Sequence, residues 1–184
     1  MSELDCDEEA WDDVADGTPQ PDLLYFLYGL DLHPELIAQR CRAQRYVGVA
    51  TLADYALEFR GYVRRWDGAE ATVIEAPGQT VTGALYWLDA DDSERIDLWQ
   101  GVRFNGTGSA FHFPVEVIDQ NGLRHQALMH KPDRINPPGE PSREYLDLLV
   151  AGAEARGLPA ARLRAIPSHP ASYPVPRRNR LDEL

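Results

Sequence analysis

The sequence predicts an α+β fold: a small mixed, largely antiparallel β-sheet, curled or closed into a barrel, with flanking helices. Short segments rich in β-branched and aromatic residues recur between residues 23 and 131, as is typical of strands. The pair Asn121-Gly122 separates two of these segments and is a strong hairpin signal. Only a few segments have the period of an amphipathic helix. Together these features favour a sheet of six or seven strands with a few helices.

The first element is LLYFLYG, at residues 23–29. This continuous apolar run ends in glycine, which predicts a short strand buried on both faces. A helix should follow over PELIAQRC, because Pro34 suits a first helical turn. Further strands are predicted for YVGVATL, YALEFRGY, ATVIEA and TVTGALYWL. Turns are expected at Trp66-Asp67-Gly68 and at Pro77-Gly78.

The second half of the chain begins with an acidic cluster at residues 91–94, which predicts a capped helix start because acids favour the positive end of a helix. This helix should end at Gly101. The hairpin strands FHFPVEVID and LRHQALMHK follow. A last amphipathic helix is expected from Ser142 until Gly157 can close it.

Charge and proline divide the chain of 184 residues into one domain and two tails. Residues 1–20 hold eight acidic residues and no Lys or Arg, which is two thirds of the formal net charge of −12. We therefore expect an acidic disordered tail at 1–21 and a functional domain at 22–167. The proline-rich segment 168–184 should lie along the surface or extend freely.

Composition also narrows the function. The chain lacks an apolar run of the roughly 18 to 20 residues that a membrane helix needs, and its acidic start is unlike a secretory signal, so we expect a soluble cytoplasmic protein. The negative charge argues against a nucleic-acid partner. Cys6 and Cys41 suggest free thiols rather than a disulfide framework. The sequence gives no basis for an oligomeric state.

Five segments carry a resemblance to a known family by their order and spacing. They are YFLYGLDL, ATVIEAPGQTVTGALYWLD, ERIDLWQGV, HQALMHKP and PSREYLDLLVAGAEARGLP followed by LRAI. In this order the segments resemble the γ-glutamylcyclotransferase family, which has relatives in aminoglycoside biosynthesis and plant defence. The resemblance covers about residues 23 to 166.

The resemblance implies a small-molecule substrate that bears an amide, and no metal or organic cofactor. In the family, the α-amine of a γ-glutamyl amide attacks the side-chain carbonyl, closes a 5-oxoproline ring and expels the amine. A glutamate deprotonates the ammonium, and backbone amides of a Tyr-Gly-Ser-Asn loop hold the oxyanion. Tyr28 and Gly29 match that loop, and Tyr145 matches a tyrosine that we expect to face the same cavity.

Three positions depart from the family pattern. Leu30 replaces the loop serine, Asp31 replaces its asparagine, and Gln100 replaces the catalytic glutamate. A glutamine does not titrate near neutral pH, so Gln100 cannot be the general base. Because one carboxylate and one amide have exchanged places, we hypothesise that Asp31 acts as a relocated base. Tyr28, Gly29, Leu30 and Tyr145 would then bind the substrate.

Structural roles compete with these assignments. Asp31 would cap the helix that follows it, Gln100 would bond a backbone group, and Asp97 would act as a cap or pair with Arg95 or Arg103. Among the histidines, His125 and His130 differ in parity along one strand and should point to opposite faces, which argues against a three-residue metal site.

Three classes of function follow. The first is an enzyme of amide cleavage or cyclisation with a non-standard base, in specialised metabolism. The second is a catalytically silent member that binds a ligand or a protein partner. The third keeps the fold but catalyses another reaction, such as an elimination or isomerisation.

Overall fold

The computed structural model describes residues 22–103, 105 and 108–173. The acidic segment 1–21 and residues 174–184 of the proline-rich segment lie outside the described residues, so both tail predictions stay predictions there. The strands are β1 (Leu23–Leu27), β2 (Arg45–Val63), β3 (Gly68–Leu88), β4 (Ala110–Asp119) and β5 (Arg124–Pro132). The helices are α1 (Pro34–Arg40), α2 (Ala90–Gln100), α3 (Arg143–Ala155) and α4 (Ala161–Arg164), with 3₁₀ turns at Gly29–Leu32 and Arg64–Trp66.

The strands form a closed barrel in the order β1-β3-β2-β4-β5. Neighbouring strands are antiparallel, except that β1 lies parallel to β5 with Tyr25 opposite Leu128 and so closes the barrel. The predicted α+β class with a mixed, largely antiparallel barrel is therefore confirmed.

The number of strands was predicted wrongly. Among the described residues there are five strands, because YVGVATL and YALEFRGY are one strand, β2, and ATVIEA and TVTGALYWL are one strand, β3. Pro77-Gly78 was expected to be a turn but lies inside β3. Here the pairing register shifts next to Asp54, which has a left-handed backbone (φ 61°), as does Gly78 (φ 78°). The Gly78 amide donates to Asp54 Oδ1 at 2.8 Å, so the pair forms a bulge that bends both strands without reversing them.

β1 is buried on both faces, as its apolar run predicts. Leu24 and Phe26 pack into a cluster formed by strand residues alone. Tyr25 and Leu27 alternate with them and face a second cluster that also contains residues of α1, α2 and α3. The helices therefore cover one side of β1, and the chain that leaves β1 enters the space beneath them.

The two long helices begin and end at the predicted signals. Asp89 caps α2 by accepting from the Asp92 amide at 2.8 Å, and α2 ends at Gly101, whose backbone is left-handed (φ 79°). Ser142 Oγ accepts from the Tyr145 amide at 3.3 Å and so opens α3. These ends fix the positions of Gln100, in the last turn of α2, and Tyr145, in the first turn of α3.

Helix α3 supports the turn at Gly29–Leu32. A Cβ atom added at Gly152 would lie 2.8 Å from the His33 amide nitrogen, so only glycine permits this close approach. Arg156 Nε also donates to the Leu32 carbonyl at 3.0 Å. The turn after β1 is thus held from behind by α3.

Candidate active-site pocket

A recess at the end of β1 collects residues from most elements of the fold. The empty volume of the recess is about 480 Å³, which includes space open to solvent. Its lining includes the segment 26–31, Arg40 of α1, Arg65, Trp66, Glu70 and Ala71 around the start of β3, Trp99 and Gln100 of α2, His130 of β5 and Tyr145 of α3.

All six residues that the sequence singled out for catalysis or substrate binding line this recess. They are Tyr28, Gly29, Leu30, Asp31, Gln100 and Tyr145. They come from the turn after β1, the end of α2 and the start of α3, which are distant in sequence. The tertiary structure thus gathers them in one place, while their roles toward a ligand stay proposals.

Asp31 and Gln100 are in direct contact. Gln100 Nε2 donates to Asp31 Oδ2 at 2.6 Å. Asp31 is 1% exposed, and its Oδ1 forms an ion pair with Arg40. The expectation that Asp31 caps the next helix is wrong: His33 Nδ1 accepts from the Glu35 amide at 3.2 Å and caps α1 instead. The Gln100 amide nitrogen thus bonds the Asp31 carboxylate, and the other structural expectation, that Gln100 bonds a backbone group, stays a prediction.

Arg40 and Arg65 form a positive wall around Trp99. The guanidinium carbon of Arg40 lies 3.9 Å from the centre of the Trp99 ring, and that of Arg65 lies 4.3 Å from it, which are cation–π distances. Burial, with a contribution from nearby Arg65, lowers the pKa of Arg40 to about 9. The guanidinium therefore keeps its charge at neutral pH and compensates the buried Asp31 carboxylate.

Glu70 is a second carboxylate in the recess, and sequence reasoning missed it. It is about one third exposed, and its Oε1 accepts from Arg65 at 2.9 Å. Nothing in the sequence around position 70 distinguishes it from an ordinary strand residue. Its place beside the pocket depends on how β3 passes the ends of α2 and α3.

The tyrosines of the recess are fixed by backbone bonds. Tyr28 donates to the His130 carbonyl at 2.7 Å, which ties the turn after β1 to β5. The Tyr145 hydroxyl accepts from the Ala71 amide at 3.0 Å, which ties α3 to β3. Burial raises the pKa of both phenols above the usual range, so both stay protonated at neutral pH. Their phenols are accordingly parts of the pocket wall.

A second polar cluster lies beside the recess. Asp97 Oδ1 lies 2.7 Å from His112 Nε2 and 2.7 Å from His130 Nε2. Asp97 was expected to pair with Arg95 or Arg103, and this expectation is replaced by its contacts with the two histidines. One ligand atom from each of the three residues lies within 4.8 Å of the others, so together they could hold a metal ion.

The histidine pair was missed because the sequence argument compared the wrong two residues. His125 does not belong to the cluster and instead approaches Asp119 Oδ2 at 3.0 Å. His112 and His130 lie directly opposite each other on β4 and β5. A two-residue turn at Asn121-Gly122 would place His112 opposite Lys131, so the hairpin signal does not predict the pair, and only the observed register brings the two histidines together.

The fold and the recess are similar to those of γ-glutamylcyclotransferase-like proteins, and comparisons with known proteins support this resemblance. The sequence profile of the AIG2-like family matches residues 80–165. A curated γ-glutamylcyclotransferase of Mus musculus is 26% identical over 163 residues, which cover 86% of this chain and 81% of the relative. That of Homo sapiens is 28% identical over 147 residues, or 78% of this chain and 76% of the relative.

A solved structure described as a γ-glutamyl cyclotransferase superimposes with a TM-score of 0.77. It is 26% identical, and the match covers 85% of this chain and 94% of that one. Among the described residues, none of the helices has the length and apolar character needed to span a bilayer.

Proposed function

We propose that this protein binds a γ-glutamyl or related amide in the recess and cleaves it by ring closure, with a carboxylate base that does not occupy the family's glutamate position. The contact between Asp31 and Gln100 carries the proposal. This chain has a carboxylate at position 31 and an amide at position 100, whereas the family pattern has an amide at the first position and a carboxylate at the second. The recess therefore keeps the same two kinds of group with their places exchanged.

The charges of the recess suit the amino-acid end of such a substrate. Asp31 and Glu70 offer two carboxylates for an α-ammonium group, and Arg40 and Arg65 offer two guanidinium groups for an α-carboxylate. A γ-glutamyl amide carries both of these groups on one carbon atom. The oxyanion would lie at the turn that begins at Gly29.

The reaction needs a base, a site for the oxyanion and a proton for the leaving group. The α-ammonium gives one proton to the base, and its nitrogen then attacks the side-chain carbonyl carbon to form the five-membered ring. The ring nitrogen then gives up a second proton, and the bond from that carbon to the leaving nitrogen breaks. Both protons pass to the leaving amine, which departs as an ammonium ion, so protons and electron pairs balance without a further reactant.

Asp31 is the proposed base. An ionised carboxylate has about four lone-pair sites, and Arg40 and Gln100 use only part of them. The ion pair with Arg40 places a positive charge beside the Asp31 carboxylate. Glu70 is the alternative carboxylate, because it lines the same recess and is more exposed.

The substrate itself is proposed to differ from ordinary γ-glutamyl amino acids. Leu30 is buried and lines the recess in place of the family serine, so the floor is more apolar there. A base on another side of the pocket would suit a nucleophile or leaving group in another position. Both features favour an intermediate of specialised metabolism.

The test is release of 5-oxoproline from a panel of γ-glutamyl amides, measured by mass spectrometry. The wild type is compared with Asp31→Asn, Glu70→Gln and Gln100→Glu. Removal of the base should lower turnover by about 10²- to 10⁴-fold. Glu75→Gln is the matched control, because Glu75 is an exposed carboxylate of the same strand outside the recess.

The variants separate the two carboxylates. Loss of turnover in Asp31→Asn alone, with circular dichroism showing that this variant is folded, supports the relocated base. Loss in Glu70→Gln alone moves that role to Glu70. Undiminished turnover in both variants would contradict a carboxylate base in this recess.

A catalytically silent binding protein is the second candidate. It is favoured by the engagement of both Asp31 oxygens, one by Arg40 and one by Gln100. A silent wild type with an active Gln100→Glu variant would support this candidate. If both are silent on every amide while the wild type still binds one of them, a different reaction on the same fold, such as an elimination or isomerisation, becomes the better interpretation.

A further inference from the structure

The cluster of Asp97, His112 and His130 has the composition and the convergence of a metal site. Two imidazole nitrogens approach a single carboxylate oxygen, each at 2.7 Å. Two ligands bound tetrahedrally to one ion at about 2.1 Å lie roughly 3.4 Å apart. The two imidazole nitrogens already converge on the carboxylate, and each would move away from it by about 0.7 Å to hold an ion.

We propose that Asp97, His112 and His130 bind a divalent transition-metal ion of the zinc class. Two imidazoles and one carboxylate are ligands that Zn²⁺ accepts, and the same set serves other first-row ions with open coordination positions. Hard cations such as Mg²⁺ and Ca²⁺ prefer oxygen ligands and should bind poorly. This inference goes beyond the proposed cyclisation and does not depend on it.

The surroundings hold the donors in place. The ring of Tyr25 stacks on His130, with centroids 5.5 Å apart and planes 20° apart, and meets the His112 ring edge-on. The Tyr25 hydroxyl lies 2.7 Å from Ser93 Oγ and 3.3 Å from His112 Nε2. The stacking of Tyr25 fixes the orientation of the His130 ring, whereas the Tyr25 hydroxyl contacts the His112 nitrogen that would bind the ion and would have to release it.

An entry route exists on one side of the cluster. The side chain of His112 is 29% exposed, whereas those of Asp97 and His130 are 5% and 6% exposed. An ion would therefore enter past His112. Because His130 also lines the recess, and Asp97 lies three residues before Gln100 on α2, the bound ion would lie beside the proposed active site.

The alternative is a purely hydrogen-bonded cluster, in which each Nε2 carries a hydrogen and donates to Asp97. Binding of an ion requires those hydrogens to move to Nδ1 or to solvent. The two states differ in whether the cluster takes up an ion, so a binding measurement distinguishes them.

The experiment uses the full chain after treatment with a chelator. It is dialysed against Zn²⁺, and bound zinc is counted by mass spectrometry, with thermal unfolding as a second readout. We expect one Zn²⁺ per chain and a higher Tm, with no comparable effect of Mg²⁺. The Co²⁺ form should show the absorption of nitrogen and oxygen ligation without thiolate bands, which excludes binding through Cys6 or Cys41.

His112→Gln is the main variant, because His112 is the most exposed ligand and its replacement should leave the protein folded. It should lower zinc affinity on the order of 100-fold, since one of three ligands is lost. His125→Gln is the matched control, because His125 lies on β5 and contacts Asp119 outside the cluster. It should bind zinc like the wild type. Asp97→Asn provides a second variant, and circular dichroism checks that each variant is folded.

Two results would overturn the proposal. One is a wild type that retains no zinc above the level found with Mg²⁺, which would leave the cluster as a hydrogen-bonded network. The other is unchanged zinc affinity in folded His112→Gln, which would place the bound ion elsewhere, for instance on the acidic residues of segment 1–20.

Discussion

At the scale of single residues, one buried ion pair, Asp31 with Arg40, balances the charge inside the recess. Asp31 and Arg40 are each about 1% exposed, and neither charge would be tolerated alone in that environment. Gln100 joins the pair through its amide. A glutamate at position 100, as in the family pattern, would place a second negative charge against Asp31, so the amide at 100 and the carboxylate at 31 are electrostatically matched.

Cys41 gives a pH prediction at the same scale. It is 3% exposed, and burial, together with Asp92, raises the pKa of its thiol to about 12. Only the thiolate reacts with a disulfide reagent, and a raised pKa means that the native thiol stays protonated through pH 8 and 9. In a Cys6→Ser background, Cys41 should react on the order of 1,000-fold more slowly in the native than in the unfolded protein at pH 8. Labelling with Ellman's reagent measures this ratio.

Full labelling of the Cys6→Ser variant in guanidinium chloride is the control, because it shows that the reagent is active and that the Cys41 thiol is intact. Fast labelling of the native protein at pH 8 would show that Cys41 is accessible and ionised, contrary to its place between α1 and α2.

At the scale of elements, the site depends on how closely α3 approaches the turn after β1. Gly152 lies against the His33 backbone, and the neighbouring turn carries Asp31. Helix propensity alone predicts that Gly152→Ala stabilises the protein by about 1 kcal/mol. The added Cβ would lie 2.8 Å from the His33 nitrogen, so we expect a net loss of about 1–3 kcal/mol in the free energy of unfolding. Urea denaturation checks the sign.

Ala151→Gly is the control for propensity. Ala151 is exposed on the same helix, so its replacement should cost about 1 kcal/mol without touching the turn. A Gly152→Ala variant more stable than the wild type would contradict the close contact of α3 with the turn.

At the scale of the whole molecule, the division into tail and domain can be tested directly. Residues 1–20 carry eight acidic residues and no Lys or Arg, which predicts that they add no folding energy. Deletion of residues 1–21 should change the free energy of unfolding by less than about 0.5 kcal/mol. Chemical denaturation of the two chains side by side measures the difference, and a larger loss would mean that the segment is part of the folded unit.

Closure of the barrel brings the recess next to the cluster of Asp97, His112 and His130. β5 pairs with β1 through Leu128 and Tyr25, and His130 follows two residues later on β5. Its carbonyl then accepts from Tyr28, and its imidazole approaches Asp97. One strand thus contributes to the wall of the recess and to the proposed metal site.

The sequence alone determined the fold class, several helix ends, the hairpin and the resemblance to the γ-glutamylcyclotransferase family. Local signals act over a few residues, so Pro34, Ser142 and Gly101 predicted helix ends, and Asn121-Gly122 predicted the hairpin correctly. The order of five segments carried the resemblance to that family and singled out six residues that line the recess. The turn predicted at Pro77-Gly78 was wrong, because a dipeptide that favours turns can also lie in a β-bulge when the partner strand bends with it.

Only the tertiary structure decided what those residues contact. Asp31 pairs with Arg40 and Gln100, and Glu70 lines the same recess. Asp97 contacts two histidines. Each of these contacts joins segments that are separate in sequence or on different elements. Such contacts depend on barrel closure and helix packing, which arise from the burial of many apolar side chains together. No short stretch of sequence carries that information, because apolar side chains throughout the core contribute the free energy that brings these groups together.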